Sequence, residues 1–240
     1  MLCYHAGMNA SRGARERVRA ELTREITETA RRHLATDGAA GLSLRAVARD
    51  LGMVSSAVYR YFPSRDDLLT ALIIDGYNAI GAAAEEAEAA RRRDDHRGRW
   101  LSACRGVRDW ALAHPHEYSL VYGSPVPGYR APERTIAPAS RVAAVFGRII
   151  SDARASGVLD PPALCPPPPG SFAPDAERLR ESVLVAVPDD ATARALTVWA
   201  SVFGLVSFEL FGQFENVVTD RGAFFDHAVG CLGAMMGLPA

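Results

Sequence analysis

The chain contains no lysine; all 27 of its Lys/Arg positions are arginine. That absence excludes a Walker-type phosphate lysine and any Schiff-base chemistry, since both need a lysine amine. The four cysteines, Cys3, Cys104, Cys165 and Cys231, are scattered without metal-ligand spacing. They suggest incidental thiols in a reducing cytoplasm and no disulfide framework. No stretch approaches the ~20 uncharged apolar residues that span a bilayer, so no membrane contact is expected. Residues 1–11 lack the basic start and apolar centre of a secretory signal. Met8 is a candidate true start, with the first seven residues then an unstructured extension. There is no nucleophile elbow and no glycine-rich phosphate loop, and neither cofactor nor metal is expected.

What is present is a packed, polar-faced helical chain. Of 240 residues, 48% are hydrophobic, which suits a globular core. The formal charge of -1 hides a polarity. Residues 12–65 carry eleven arginines against six acids, a net +5, which leaves -6 for the rest. A basic module on an acidic body fits a head that binds a polyanion. A solvated helix face laced with ion pairs accounts for the charge equally well.

The stretch Leu42–Leu72, LSLRAVARDLGMVSSAVYRYFPSRDDLLTAL, has the strongest internal logic. Ser43 is placed to cap a short helix in which Leu44, Val47, Ala48 and Leu51 recur at helical spacing. Gly52 ends it where a left-handed backbone is cheapest for glycine. Val54–Phe62 resumes a helical run until Pro63, and Ser64 with Asp67 opens the next helix as a capping box. Two short helices across a glycine turn form the helix-turn-helix pattern, whose second helix enters a DNA major groove. Such a pair buries too little to fold alone. The helix expected over Ala14–Thr36, with Val18, Leu22, Ile26, Ala30 and Leu34 on one stripe, would cover it.

Downstream, a helix from Ser64 toward Arg91 connects to a charged break, RRRDDHRG, read as a solvated loop in preference to a nucleic-acid patch. Helices are expected over Arg99–His114 and Ala139–Ser156. Between them lies SPVPGYRAP, a proline- and glycine-punctuated loop. The tract PPALCPPPPGSFAP within Val158–Pro174 reads as an extended surface loop, and a short amphipathic helix is expected over Pro174–Val187. Asp189–Val218 is apolar on more than one side and needs a partner beyond its own core. With Asp220–Gly237 it suggests a four-helix seam between two copies of the chain. Leu196, Leu210, Phe214, Phe224, Phe225, Ala228, Leu232 and Met235 are the candidate seam residues. The competing reading is a buried central helix in a monomer.

These features together resemble the TetR family of one-component bacterial regulators. The resemblance is most specific over LSLRAVARDLG and SSAVYRYFPSRDDLL. The second half resembles the subgroup with a Trp and a His-Gly pair on its penultimate helix: WASVFGLVSFELFGQF keeps Trp199 and Gly204, with Phe203 where the histidine is expected. HPHEYSLVYGSPVPGYRAP is similar to that subgroup as well. The resemblance implies an all-α fold, with a helix-turn-helix domain over 12–75 and a ligand-binding and dimerisation domain over 76–240. It implies double-stranded DNA, a small-molecule effector and a second copy of the chain as partners. Carried over position by position, the DNA-contact set is Ser43, Arg45, Ser55, Ser56, Ala57, Tyr59, Arg60, Tyr61 and Arg65, with Arg65 clamping a phosphate. Val54 stands where a Ser or Thr usually caps the recognition helix, so Ser55 is a candidate for that duty instead.

A ligand-released repressor would place an apolar effector among Trp110, Tyr118, Tyr122, Phe146, Trp199 and Phe203, with Arg108 or Arg141 as polar anchor. Core packing explains each aromatic as well. An effector-independent regulator remains open. A helical enzyme using His114, His116 and Glu117 is disfavoured, because the two histidines flank Pro115 and are not spaced as an i, i+4 metal pair.

Overall fold

The computed structural model describes residues 4–160, 166–182 and 189–239. Eleven α-helices and no strand occur among them. The chain divides into two compact units, Met1–Ile73 with Ser124–Pro132, and Ile74–Gly123 with Glu133–Ala240.

The first unit holds α1 (Tyr4–Gly41), α2 (Leu44–Asp50), α3 (Ser55–Val58) and the opening turns of α4 (Arg65–Ala89). Helix α1 starts further upstream than its apolar stripe predicts, with Met8 inside it, and its continuous run breaks at Gly38, two residues past the expected last residue Thr36. Burial begins only downstream. Val18 is 59% exposed, whereas Ile26, Ala30 and Leu34 are buried, as are Leu44, Val47, Ala48, Val58, Phe62, Leu68 and Leu69 in the same unit. At Gly38 the backbone leaves helical geometry with φ 67°, a value glycine tolerates best. The Ser43 hydroxyl accepts from the Ala46 amide at 3.4 Å and caps α2. Gly52 at φ 65° closes it, and the Met53 amide returns to the Ala48 carbonyl at 2.9 Å. The capping box at α4 forms as spacing predicts: the Asp67 amide donates to Ser64 Oγ at 3.0 Å, and that hydroxyl donates to the Asp67 carboxylate at 2.7 Å.

The loop Ser124–Pro132, which the expected 76–240 boundary puts in the second domain, clusters instead with this first unit. Its Tyr129 hydroxyl shares a 2.9 Å hydrogen bond with the buried Thr70 of α4.

The second unit is built from the rest of α4 with α5 (His96–Ala113), α6 (Pro115–Tyr122), α7 (Ile136–Ala139), α8 (Arg141–Ala155), α9 (Ala173–Ser182), α10 (Asp189–Leu210) and α11 (Arg221–Met235). Its core joins Ile80, Trp100, Val107, Tyr118, Phe146, Ile149, Val202, Val206, Phe225 and Val229. Trp100 is anchored by its indole N–H, which donates to the Val229 carbonyl at 2.7 Å. A side chain at Gly233 would collide with that indole, at 2.9 Å from its ring. The charged break is solvated as expected at Arg91–Asp95 and Arg97, and among its side chains only His96 is buried. α5 begins earlier, at His96, because the Asp95 carboxylate caps it through the Gly98 amide at 2.8 Å. Arg99 is fully buried and bonds Glu88 at 2.6 Å, Asp152 at 2.7 Å and the Arg93 carbonyl at 2.9 Å. Arg93 joins the same two carboxylates.

α10 ends at Leu210, eight residues earlier than expected, in turns with positive φ at Gly212 and Asn216. By length and composition its 190–210 stretch would also suit a membrane span. Here its Val198, Val202 and Val206 belong to the unit's core. The expected helix over Pro174–Val187 begins as α9, and residues 183–188 lie outside the described set, as do 161–165 of the proline tract.

Candidate DNA-reading face and effector nest

The recognition element is short. α3 covers four residues, then winds on through hydrogen-bonded turns, with the Tyr61 and Phe62 amides both reaching the Val58 carbonyl, at 2.9 and 3.0 Å. Val58 and Phe62 point inward, while Arg45, Ser56, Tyr59 and Arg60 are exposed and Ser55, Ala57 and Tyr61 are half-buried. This leaves hydroxyls, two guanidinium groups and aromatic rims outward, a donor set suited to phosphates and base edges. Val54 is the N-cap and makes no side-chain cap bond. Ser55 does not take over that duty.

Two of the candidates have partners within the fold. Ser43 spends its hydroxyl on the α2 cap. Arg65 donates from Nε to the Leu42 carbonyl at 3.1 Å and from Nη2 to the Ala39 and Ala40 carbonyls at 2.6 and 3.3 Å. It therefore ties the end of α1 to the start of α4, satisfying carbonyls that a helix terminus leaves open. A phosphate clamp would need those same donors.

In the second unit four of the ligand candidates converge. Tyr122 lies 4.2 Å from Phe203 between ring centroids and 5.1 Å from Tyr118, and Trp199 lies 5.3 Å from Phe203. Tyr77 at 5.8 Å from Tyr122 and Phe211 at 6.4 Å from Tyr118 complete the nest and were missed from sequence. Tyr77 carried a signal, standing four residues past buried Ile73 on α4, whereas Phe211 lies past the end of α10 and is 47% exposed. The Tyr118 hydroxyl donates to the Phe203 carbonyl at 3.1 Å and shares 2.9 Å with Ser207. Burial raises the pKa of both phenols above the ordinary tyrosine value, most strongly at Tyr122, so both stay neutral.

Phe146 and Trp110 stand apart. Phe146 packs on Trp100 at 4.8 Å and Trp110 stacks on His114 at 5.0 Å. The arginines offered as anchors are already committed. Arg108 makes a bidentate pair with Glu209 at 2.7 and 2.6 Å, and Arg141 makes one with Glu85 at 3.0 and 2.6 Å. In each case the carboxylate hydrogen bond holds the guanidinium pKa above its usual value.

The seam candidates divide. Leu196 and Phe224 are exposed, at 40% and 37%, as are Phe208 at 54% and Phe211 at 47%. Leu210, Phe214, Ala228, Leu232 and Met235 are half-buried. Phe225 is corrected: it is 2% exposed in the unit's own core, with the Arg108 guanidinium 5.5 Å over its ring.

The profile of the bacterial regulatory proteins of the tetR family matches residues 26–72, and that of the tetracyclin repressor-like C-terminal domain matches residues 100–232. The HTH-type transcriptional regulator Rv1816 of Mycobacterium tuberculosis is 39% identical over 237 residues, covering 98% of this chain and 99% of its own. The chain belongs to the TetR family. Mb1846 of Mycobacterium bovis, another HTH-type transcriptional regulator, matches with the same identity and coverage. The crystal structure of SCO4313 superposes with a TM-score of 0.73 at 32% identity, covering 90% of this chain and 97% of that one. This TetR-family protein is thus an all-α, DNA-binding transcriptional regulator and not an enzyme. His114 accordingly has a structural place, with Nδ1 3.0 Å from the Trp110 carbonyl at the α5–α6 junction.

Proposed function

We propose that the chain is a cytoplasmic, dimeric repressor that binds a palindromic operator and is released by a small, uncharged hydrophobic ligand. In this reading residues 12–75 form the DNA-binding domain and residues 76–240 the ligand-binding and dimerisation domain. Arg45, Ser55, Ser56, Ala57, Tyr59, Arg60 and Tyr61 contact the operator. Tyr77, Tyr118, Tyr122, Trp199 and Phe203 receive the ligand. Leu196, Phe208 and Phe224 lie in the seam between copies.

One observation carries the reading. Helix α10 presents Trp199 and Phe203 to the aromatic nest, while Phe208 of the same helix stands exposed on its other side and Leu196, upstream on the nest's own stripe, is exposed as well. A ligand that repositions α10 would therefore act directly on a seam built from it. Release requires the ligand to bind the DNA-incompetent state more tightly than the competent one. The engagement of Arg108 and Arg141 with carboxylates supports a neutral ligand, because an acid would have to displace a bidentate partner. The nest's polar handles are the Tyr118 and Tyr122 phenols.

The test begins with duplexes selected by the purified chain from a random DNA pool, followed by gel shifts against a panel of hydrophobic compounds. Expected are a two-fold symmetric footprint, a dimer by sedimentation, and release by at least one compound. The F208E/F224E double variant should sediment as a monomer and bind far more weakly. Asymmetric selected sites, or a panel that alters neither DNA affinity nor thermal stability, would count against it.

A further inference from the structure

The upstream end of α1 is not spent on folding the head. From Ile26 onward one face of α1 is buried, through Ile26, Ala30 and Leu34. At 3.6 residues per turn that face continues upstream through Arg19 and Arg15, about two and three turns before Ile26. There the apolar residues give way to arginine, and both side chains are exposed. Residues 12–24 carry five arginines and two glutamates.

A second observation places this stripe beside the reading face. The Arg19 guanidinium lies over the Tyr61 ring, 5.2 Å from its centroid. Tyr61 belongs to the turns that continue α3. Stacking uses the flat face of a guanidinium and not its in-plane N–H donors. The opposite face of the same stretch carries Arg17 and Arg24, and Arg24 pairs with Glu21.

We propose that Arg15 and Arg19 form an arm along which α1 grips the phosphate backbone of duplex DNA, next to the groove that α3 reads. The proposal rests on the DNA-reading face assigned above and adds to it. Its partner is the sugar-phosphate backbone, so the arm supplies affinity and register and no base preference.

Fluorescence-anisotropy titrations of the full chain test this, using a selected duplex of about 40 base pairs over a series of salt concentrations. The R15Q/R19Q variant should bind at least several-fold more weakly at low salt. Its log-affinity against log-salt slope should shrink by about 0.9 for each arginine and each bound chain. R17Q/R24Q makes the same charge change on the opposite face and should keep the wild-type affinity and slope. Equal thermal midpoints for all three proteins would assign the difference to binding. An unchanged slope in R15Q/R19Q overturns the arm, even if affinity falls, because loss of Tyr61 positioning alone releases no counterions. Equal slope loss in both variants overturns it too, in favour of a diffuse field. A wild-type chain that bound no duplex would instead overturn the DNA-reading assignment itself.

Discussion

Replacing Val54 by threonine should stabilise the recognition element. Val54 occupies the N-cap of α3 with φ −69° and ψ 139°, a backbone already suited to a cap, but its side chain has nothing to offer the first free amides. Threonine is nearly isosteric and exchanges one methyl for a hydroxyl that can accept from the Ser56 or Ala57 amide. A cap of this kind contributes about 1 kcal/mol. The methyl lost is a small cost, since Val54 is 71% exposed. With about 0.8 kcal/mol for a fully buried methylene-sized group, the loss is about 0.2 kcal/mol. The net gain is then about 0.8 kcal/mol, which for a cooperative chain of this size is a rise of roughly 2–3 °C in thermal midpoint. Native-state hydrogen exchange locates the effect. The Ser56 and Ala57 amides should exchange about fourfold more slowly, with amides in α5 and α8 unchanged where opening is local. The control is Val54→Ala, which offers no cap and should gain nothing. If threonine and alanine behave alike, or if exchange slows everywhere except at residues 56 and 57, the capping argument is wrong.

Arg65→Met should cost about 2–3 kcal/mol by thermal or urea unfolding, because it leaves the α1-end carbonyls without their charged donor; a residue whose only duty was to grip phosphate would lose DNA affinity with stability intact. Arg99→Met should cost about 3 kcal/mol or more, since Glu88 and Asp152 lose the buried cation between them, and pairing it with Glu88→Gln should be less than additive in a double-mutant cycle. Glu85 and Asp226 have pKa values lowered chiefly by hydrogen bonds from Arg141 and Arg105. Their contribution is fully present above the ordinary carboxylate pKa and is lost as pH falls through the lowered folded value, so Glu85→Gln should flatten that part of the acid limb of the stability profile and leave the neutral region nearly unchanged. Tyr118→Phe should destabilise by about 1 kcal/mol through loss of its bonds to the Phe203 carbonyl and Ser207, measured by urea midpoint.

The head was legible because its signals are local. The Ser43 cap, the Gly52 stop and the Ser64–Asp67 box each act within four residues, and each forms as its spacing implies. The role of Arg65 was not legible in the same way. Its acceptors lie 23 to 26 residues upstream, and no periodicity records what a guanidinium will meet across a fold. The loop at Tyr129 was hidden for the same reason, since its partner Thr70 is 59 residues away.

In the second half the difficulty was helix rotation. Phe224 and Phe225 are adjacent, about 100° apart around α11, and both read equally well as seam residues. The choice is settled by what stands one and two turns further on. Phe225, Val229 and Gly233 are buried on one line, and Gly233 is where Trp100 presses close. A stripe through Phe224 would bring His227 and Cys231 inward, and both are exposed. Of the three glycines on the helix only Gly233 is buried, and the Trp100 indole presses so close there that a side chain would collide with it. Ligand and seam residues could not be separated earlier because α10 is apolar on both sides. Its inner and outer faces differ only in what the remaining helices cover, and that is a property of packing.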